Sequence, residues 1–99
     1  MAAVKKNSSV APTVRAAYDR MADVLYITLG AQVPAEGDGR PGGIELDYAL
    51  SDRSPCGATV VGYRLNRWPE KGDELVREIA QHLAVSSSEL AAAVKAATG

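Results

Sequence analysis

The sequence of 99 residues contains no phenylalanine and only one cysteine, one histidine and one tryptophan. A single thiol, Cys56, closes no internal disulfide, so the fold does not depend on an oxidising compartment. No apolar run approaches the roughly 20 residues that a membrane helix needs. The N-terminal residues also lack the continuous apolar stretch of a secretory signal. We therefore expect a cytoplasmic protein.

An excess of charge of either sign is also lacking. Eleven lysines and arginines face twelve aspartates and glutamates, which gives a formal net charge of −1 and no overall attraction to nucleic acid or an anionic membrane. The hydrophobic share of 46% is ordinary for a globular protein. We predict a disordered tail over residues 1–11, where Lys5 and Lys6 lie, and a single α+β domain over residues 12–99.

The middle of the chain has the alternation of apolar and polar residues that is typical of strands in an antiparallel sheet. Four strands are predicted, at Thr13–Tyr18, Val24–Leu29, Ile44–Leu50 and Thr59–Arg67. In the third we expect Leu50 to face the core, and in the fourth we expect Val61, Tyr63 and Leu65 to do so. The glycine- and proline-rich residues 30–43 and the residues 51–58 are predicted to be loops.

The apolar spacing changes to a helical period from Asp73 onward. Ser86 and Glu89 form the S-x-x-E pattern of a capping box, which predicts the start of a second helix. Strands followed by helices indicate an α+β fold. We expect a four-stranded, meander-like antiparallel sheet over residues 13–67, packed on one face by a two-helix hairpin over residues 73–97.

The segment Tyr18–Leu29, with the sequence Y-D-R-M-A-D-V-L-Y-I-T-L, precedes a second recognisable segment, Gly43–Tyr48. Together they resemble the small bacterial domain-of-unknown-function family 2283, whose pattern is Y-D-x-x-A-D-x-L-Y-I-x-L. The resemblance covers roughly residues 14–65. It implies an antiparallel sheet, a bacterial origin and an antitoxin-like partner of a small toxin, but no established activity. The long segment 51–58 departs from the family's short turn, and the helices lie outside the motif.

Two pairs of acids are candidates for chemistry. Asp19 and Asp23 share one turn, but calcium prefers six to eight oxygen ligands, so capping of the turn is the better interpretation. Glu45 and Asp47 face the same way on a strand, roughly 7 Å apart, a spacing within the range of inverting glycosidases. Such a pair needs one raised pKa, whereas we expect arginines 15 and 64 as neighbours that keep both acids ionised. Cross-strand pairing is therefore predicted.

The other candidates are single features. His82 has no further ligand at metal-binding spacing, and Cys56 has no evident activating base. The glycine-rich segment 37–43 lacks a Walker lysine and precedes a strand, so we expect a flexible loop and not a phosphate site. No catalytic residue, metal ligand, cofactor or small-molecule ligand is predicted.

The segment Val76–Lys95 resembles a helix-turn-helix. Ala84, however, occupies the position where such motifs usually carry glycine. The second helix offers Lys95 but also Glu89, and it lacks the arginine, asparagine and glutamine side chains that contact base edges. We predict a non-catalytic interaction module, a regulatory or antitoxin-like protein that binds a protein partner or a second copy through an exposed sheet edge, such as Thr59–Asn66, or face. The alternative is a DNA-binding regulator that uses this segment.

Overall fold

The structure is a computed structural model that describes residues 13–99, so the predicted tail at residues 1–11 lies outside the described residues. The elements are β1 (Val14–Asp19), β2 (Val24–Leu29), β3 (Ala35–Arg40), β4 (Ile44–Ala49), β5 (Pro55–Val61), α1 (Glu74–Leu83) and α2 (Ser87–Thr98). Short 3₁₀ turns lie at Pro41–Gly43 and Trp68–Lys71. The predicted α+β class with an antiparallel sheet and two C-terminal helices is confirmed, but the sheet has five strands and not four.

The strands are arranged in the order β1-β2-β5-β4-β3, and every neighbouring pair is antiparallel. β1 and β2 form one hairpin, and β3 and β4 form another. β5 lies between β2 and β4, and it joins the two hairpins into one sheet. The chain must therefore cross from β2 to the far edge through residues 30–34, and the sheet is not a simple meander.

The strand that the sequence does not predict is β3, which lies inside the expected loop. All six of its residues are exposed, and two of them are glycines. It pairs with β4 along its whole length, from Ala35 opposite Ala49 to Arg40 opposite Ile44. Backbone hydrogen bonds to β4 therefore hold this edge strand, and its side chains contribute no apolar alternation.

The fourth predicted strand is displaced along the sequence. β5 ends at Val61, and Gly62, with φ of 71°, turns the chain out of the sheet. Val60 is fully buried, whereas Val61 is 54% exposed and Leu65 82% exposed, so the predicted inward positions of the latter two are wrong. Tyr63 is buried as expected, but it reaches the core from the turn that follows β5. The predicted loop 51–58 correspondingly includes the first half of β5.

The end of β4 differs from the prediction at one position. The register between β4 and β5 shifts between Asp47 and Tyr48, because Cys56 of β5 lies as an extra residue between their partners Gly57 and Pro55, as in a β-bulge. Tyr48 packs against the core, in agreement with the alternation of β4. Leu50, predicted to face inward, follows the last residue of β4 and is exposed.

The helices pack on one face of the sheet, as predicted. Ile27 and Leu46 lie in the core, in agreement with the alternation of their strands. The other buried side chains of this core include Leu25, Ile44, Val60, Trp68, Leu75, Ile79, Leu83, Leu90 and Val94. α2 packs chiefly over β1, and α1 lies over β5. No helix within residues 13–99 is long and apolar enough to cross a membrane.

Local capping explains the turn between the helices. Ser86 Oγ accepts a hydrogen bond from the Glu89 backbone N–H at 3.3 Å, which confirms the predicted start of α2. α1 ends at Ala84, whose φ of 57° lies in the left-handed region. The Val85 N–H donates to the Ala80 carbonyl at 3.0 Å, as in a Schellman motif. This turn directs α2 back across the sheet.

Candidate functional site

The face of the sheet opposite the two helices has no helix packed on it in the described chain. Directly opposed residues of an antiparallel pair share a face, so the strand register identifies its members. They include Arg15, Ala17, Asp19, Val24, Tyr26, Thr28, Gly37, Gly39, Glu45, Asp47, Gly57, Thr59 and Val61. We call this surface the open face.

Two rows of residues cross the open face from strand to strand. The first contains Arg15, Thr28, Gly57, Asp47 and Gly37, in the order of the strands. The row places a cation on β1 and a carboxylate on β4, and glycine or threonine lies at the centre.

The second row contains Ala17, Tyr26, Thr59, Glu45 and Gly39. Tyr26 is 45% exposed at the centre of the sheet, on β2. Next to this row, towards the β1–β2 turn, Val24 lies opposite Val61. The open face thus has an apolar centre with an acidic side on β4.

A shallow concavity of about 430 Å³ lies on the open face. Its walls include Tyr26, Asp47 and Thr59 on the sheet and Gln32 and Val33 on the crossover between β2 and β3. The crossover therefore rims one end of the face. Such a broad depression suits a protein surface better than a small molecule, which proteins usually enclose on most sides.

Asp47 is the half-buried acid of the open face. Its Oδ2 accepts a hydrogen bond from Thr59 Oγ1 at 3.2 Å. Partial burial raises the pKa of Asp47 above its usual value, and the nearby charge of Glu45 raises it further, while the bond from Thr59 lowers it in part. The Glu45 side chain extends over Gly37, where a Cβ would overlap it.

Neither of the two arginines that were predicted to neighbour Glu45 and Asp47 lies next to them. Arg15 lies on β1, three strands away from β4, and its Nη2 donates to the Gly30 carbonyl at 2.7 Å. Arg64 lies in the turn after β5, where its Nε donates to Tyr18 Oη at 3.1 Å. The strand order, which the sequence does not contain, separates both arginines from Glu45 and Asp47.

The Asp19 and Asp23 carboxylates accept hydrogen bonds that fix turns. Asp19 Oδ1 accepts from the N–H groups of Met21 and Ala22 at 3.0 and 3.1 Å, the expected capping of the β1–β2 turn. Asp23 connects two turns, because its Oδ1 and Oδ2 accept from the N–H groups of Arg64 and Leu65 at 2.9 and 3.0 Å. Both acids therefore have structural partners in the described chain.

His82 and Cys56 lie apart from any nucleophile–base arrangement among residues 13–99. The His82 ring packs edge-on against Tyr48 at a centroid distance of 5.0 Å and lines a groove between α1 and β4. Cys56 is half-buried, and burial raises its pKa, with further contributions from Asp47 and Asp52. A raised pKa favours the thiol over the nucleophilic thiolate.

The glycine-rich segment 37–43 is ordered by its neighbours and is not a loop. Gly37 and Gly39 belong to β3, and Gly42 lies in the following 3₁₀ turn with φ of 83°. The Gly42 carbonyl accepts a hydrogen bond from Trp68 Nε1 at 2.8 Å. A Cβ on Gly42 would approach the indole ring at 2.6 Å, so glycine is needed for this contact.

The helix-turn-helix-like segment has its apolar residues in the core. Leu90 and Val94 of α2 are buried against the sheet. The exposed residues of α2 are Ser87, Ser88, Glu89, Ala91, Ala92, Lys95 and Ala96. Alanine and serine offer little to base edges, and one lysine anchors about one phosphate. The surface of α2 therefore gives no support to DNA recognition.

Among the described residues, no group of three or more His, Cys, Asp or Glu side chains is arranged to hold a metal ion. Comparisons with protein-family models, curated proteins and solved structures gave no match. The resemblance to family 2283 stays a prediction. The sequence indicated the outward positions of Arg15, Glu45 and Asp47, but it placed Val61 inward and the glycines of the open face in loops. The assembly of the two rows depends on strand order and could not be deduced from the sequence.

Proposed function

We propose that this chain is a non-catalytic interaction module that binds a protein through its open face. The supporting observation is the exposure of Tyr26 on β2 and of Val61 at the end of the neighbouring β5, in a sheet whose opposite face is closed by two helices. Apolar side chains grouped on a surface and bordered by charges are typical of protein interfaces. Here Arg15 and the Glu45–Asp47 pair supply the charged border.

The sheet edges are weaker candidates for this interaction. The predicted free edge at Thr59–Asn66 is wrong, because β5 pairs with β2 on one side and β4 on the other. The edges are β1 and β3. β3 carries Glu36, Asp38 and Arg40 along its six residues, and charges on a short edge strand discourage pairing with another chain. The open face is therefore a better candidate for the protein interaction than the sheet edges.

A narrower role follows from the resemblance alone. The similarity to family 2283 supports a regulatory or antitoxin-like partner of a small bacterial toxin, and the open face is the surface such a partner would contact. The alternative, DNA binding through Val76–Lys95, is disfavoured because the exposed side of α2 carries Lys95 as its basic residue, beside the acidic Glu89.

The proposal is tested by site-specific photo-crosslinking in cells. A photoreactive residue in place of Tyr26 on the open face should give an adduct of one discrete mass. The same residue in place of Ala92, exposed on α2, is the matched control and should give none. Loss of the adduct on adding Val61→Arg would tie it to the open face. Adducts only from position 92, or from neither position, would overturn the proposal.

A further inference from the structure

We infer that the occupant of the open face is a second copy of this chain, packed face to face about a two-fold axis that runs parallel to the strands between β2 and β5. The inference rests on the proposed function, because it uses the same surface and names what covers it. Two observations support it: Arg15 and Asp47 lie at the two sides of one row, and β1 and β4 are equally far from the line between β2 and β5.

Strand order makes the face compatible with this axis. In the order β1-β2-β5-β4, the strands β1 and β4 lie at equal distances on either side of the line between β2 and β5. A two-fold rotation about this line places β1 over β4 of the partner subunit, and β2 over its β5. Two sheets packed in this way keep their strands within about 30° of each other, as in β-sandwiches.

The same rotation pairs opposite charges. Arg15 and Asp47 belong to one row, at the same height along the strands. Within one copy they are about 14 Å apart, three strand spacings, which is too far for an ion pair. Face to face, each Arg15 lies over Asp47 of the partner subunit, and symmetry repeats the contact. Within residues 13–99 neither side chain has an ion-pair partner of its own.

The centre of the face is complementary as well. Val24 lies over the partner's Val61, and Tyr26 lies over the partner's Thr59. Thr28 lies over the partner's Gly57, which has no side chain to obstruct close approach. Apolar contacts thus lie at the centre and ion pairs at the border, which is the usual arrangement of an interface.

The other two-fold axis in the plane of the sheet, perpendicular to the strands, is unfavourable. It would place β4 over β4 of the partner subunit and bring Glu45 and Asp47 close to their own copies. Like charges in close contact across an interface are strongly unfavourable. Charge therefore selects the axis parallel to the strands.

The extent of the overlap limits the expected affinity. Four strands of each copy face strands of the other, because β3 lies beyond the partner's β1 in this arrangement. Four strands about 4.8 Å apart and six residues of about 3.3 Å each give roughly 380 Å² per copy, or about 760 Å² in total. This is in the range of weak, transient interfaces, so we expect a weak, reversible dimer that forms at high protein concentration.

The test is sedimentation velocity over a concentration range with two charge reversals, Arg15→Asp and Asp47→Arg. The wild-type chain should dimerise, and each variant alone should be at least tenfold weaker, because each then opposes like charges twice. An equimolar mixture of the two variants should regain the dimer, since every contact in the mixed dimer joins opposite charges. Lys95→Asp on α2 makes the same change of charge away from the face and should dimerise like the wild type.

The outcomes separate this inference from the proposed function. A mixture that stays monomeric, or single variants that dimerise like the wild type, would overturn the two-fold arrangement. Circular dichroism melts confirm that each variant is folded, and Arg15→Glu with Asp47→Lys provides a second pair. A wild-type chain that is monomeric at high concentration, but crosslinks from position 26 to a different protein, overturns the dimer and keeps the interaction module. If the wild-type chain neither dimerises nor forms a crosslink from position 26, the dimer and the interaction module are both overturned.

Discussion

Tyr18 Oη donates a hydrogen bond to Asp23 Oδ1 at 2.6 Å, a contact that closes the β1–β2 turn. The same carboxylate accepts two backbone N–H groups from the turn after β5, more than 40 residues later in the chain. The Tyr18 hydroxyl is the largest cause that lowers the pKa of Asp23, followed by the N–H groups of Arg64 and Leu65. One side chain thereby connects the first hairpin to the segment that leads into the helices.

Asp23→Asn should lower the melting temperature at neutral pH. Asparagine tolerates the left-handed backbone at this position, where φ is 59°, so the loss reports on the carboxylate. Because the folded-state pKa is lowered, the contribution is fully present above the ordinary value of about 3.9 and is lost as the pH falls through the folded-state pKa. Melts from neutral pH to about pH 2 should show the difference shrink. Asp38→Asn, on the exposed β3, is the control, and an equal loss there would contradict the assignment.

Asp47→Asn should have the opposite effect. Its pKa is raised, so ionisation of Asp47 destabilises the fold as the pH rises through the folded-state value. The asparagine variant should therefore melt at a higher temperature at neutral pH and like the wild type in acid, while its amide oxygen still accepts from Thr59. Melts at a concentration too low for dimerisation measure this. A variant that melts at a lower temperature than the wild type at neutral pH would contradict it.

The sequence predicted those elements whose side chains carry the pattern. β1, β2, β4 and both helices follow from apolar spacing, and Asp19 and Ser86 follow from local capping rules. β3 could not be predicted, because the backbone of β4 holds it and its side chains are exposed. The start of β5 was missed for a related reason. Glycine has low strand propensity, but at position 57 a Cβ would lie only 2.4 Å from the Ile27 carbonyl oxygen of the neighbouring strand, so the pairing requires a residue without one.

The arrangement of the open face was hidden for the same physical reason. Arg15 and Asp47 share a row only because β5 inserts between β2 and β4. The pairing of β5 with β2 and β4 joins distant parts of the chain, and no local sequence pattern predicts it. The expected contact between Arg15 and Asp47 in one chain was wrong, although both residues do face the same side.

The revised inward and outward positions give a direct test of the register. Ile27→Ala removes a buried side chain and should cost about 2–5 kcal/mol of unfolding free energy. Leu65→Ala should cost less than about 0.5 kcal/mol, because Leu65 is almost fully exposed in the turn after β5. Chemical denaturation curves with equal slopes measure both. If Leu65→Ala lowers the unfolding free energy as much as Ile27→Ala does, the longer strand Thr59–Arg67 predicted from alternation would be correct.

The turn between the helices contains a strained residue. Ala84 has a left-handed backbone with φ of 57°, which costs an L residue with a Cβ about 1–2 kcal/mol. Ala84→Gly relieves this strain, and after the entropy that glycine gains in the unfolded chain it should stabilise the protein by about 0.5–1 kcal/mol. Ala92→Gly removes the same methyl group from the exposed side of α2 and should destabilise by about 1 kcal/mol. Denaturation of the two variants must give opposite signs, since a loss in both would mean that Ala84 is not left-handed and that the chain enters α2 by a different turn.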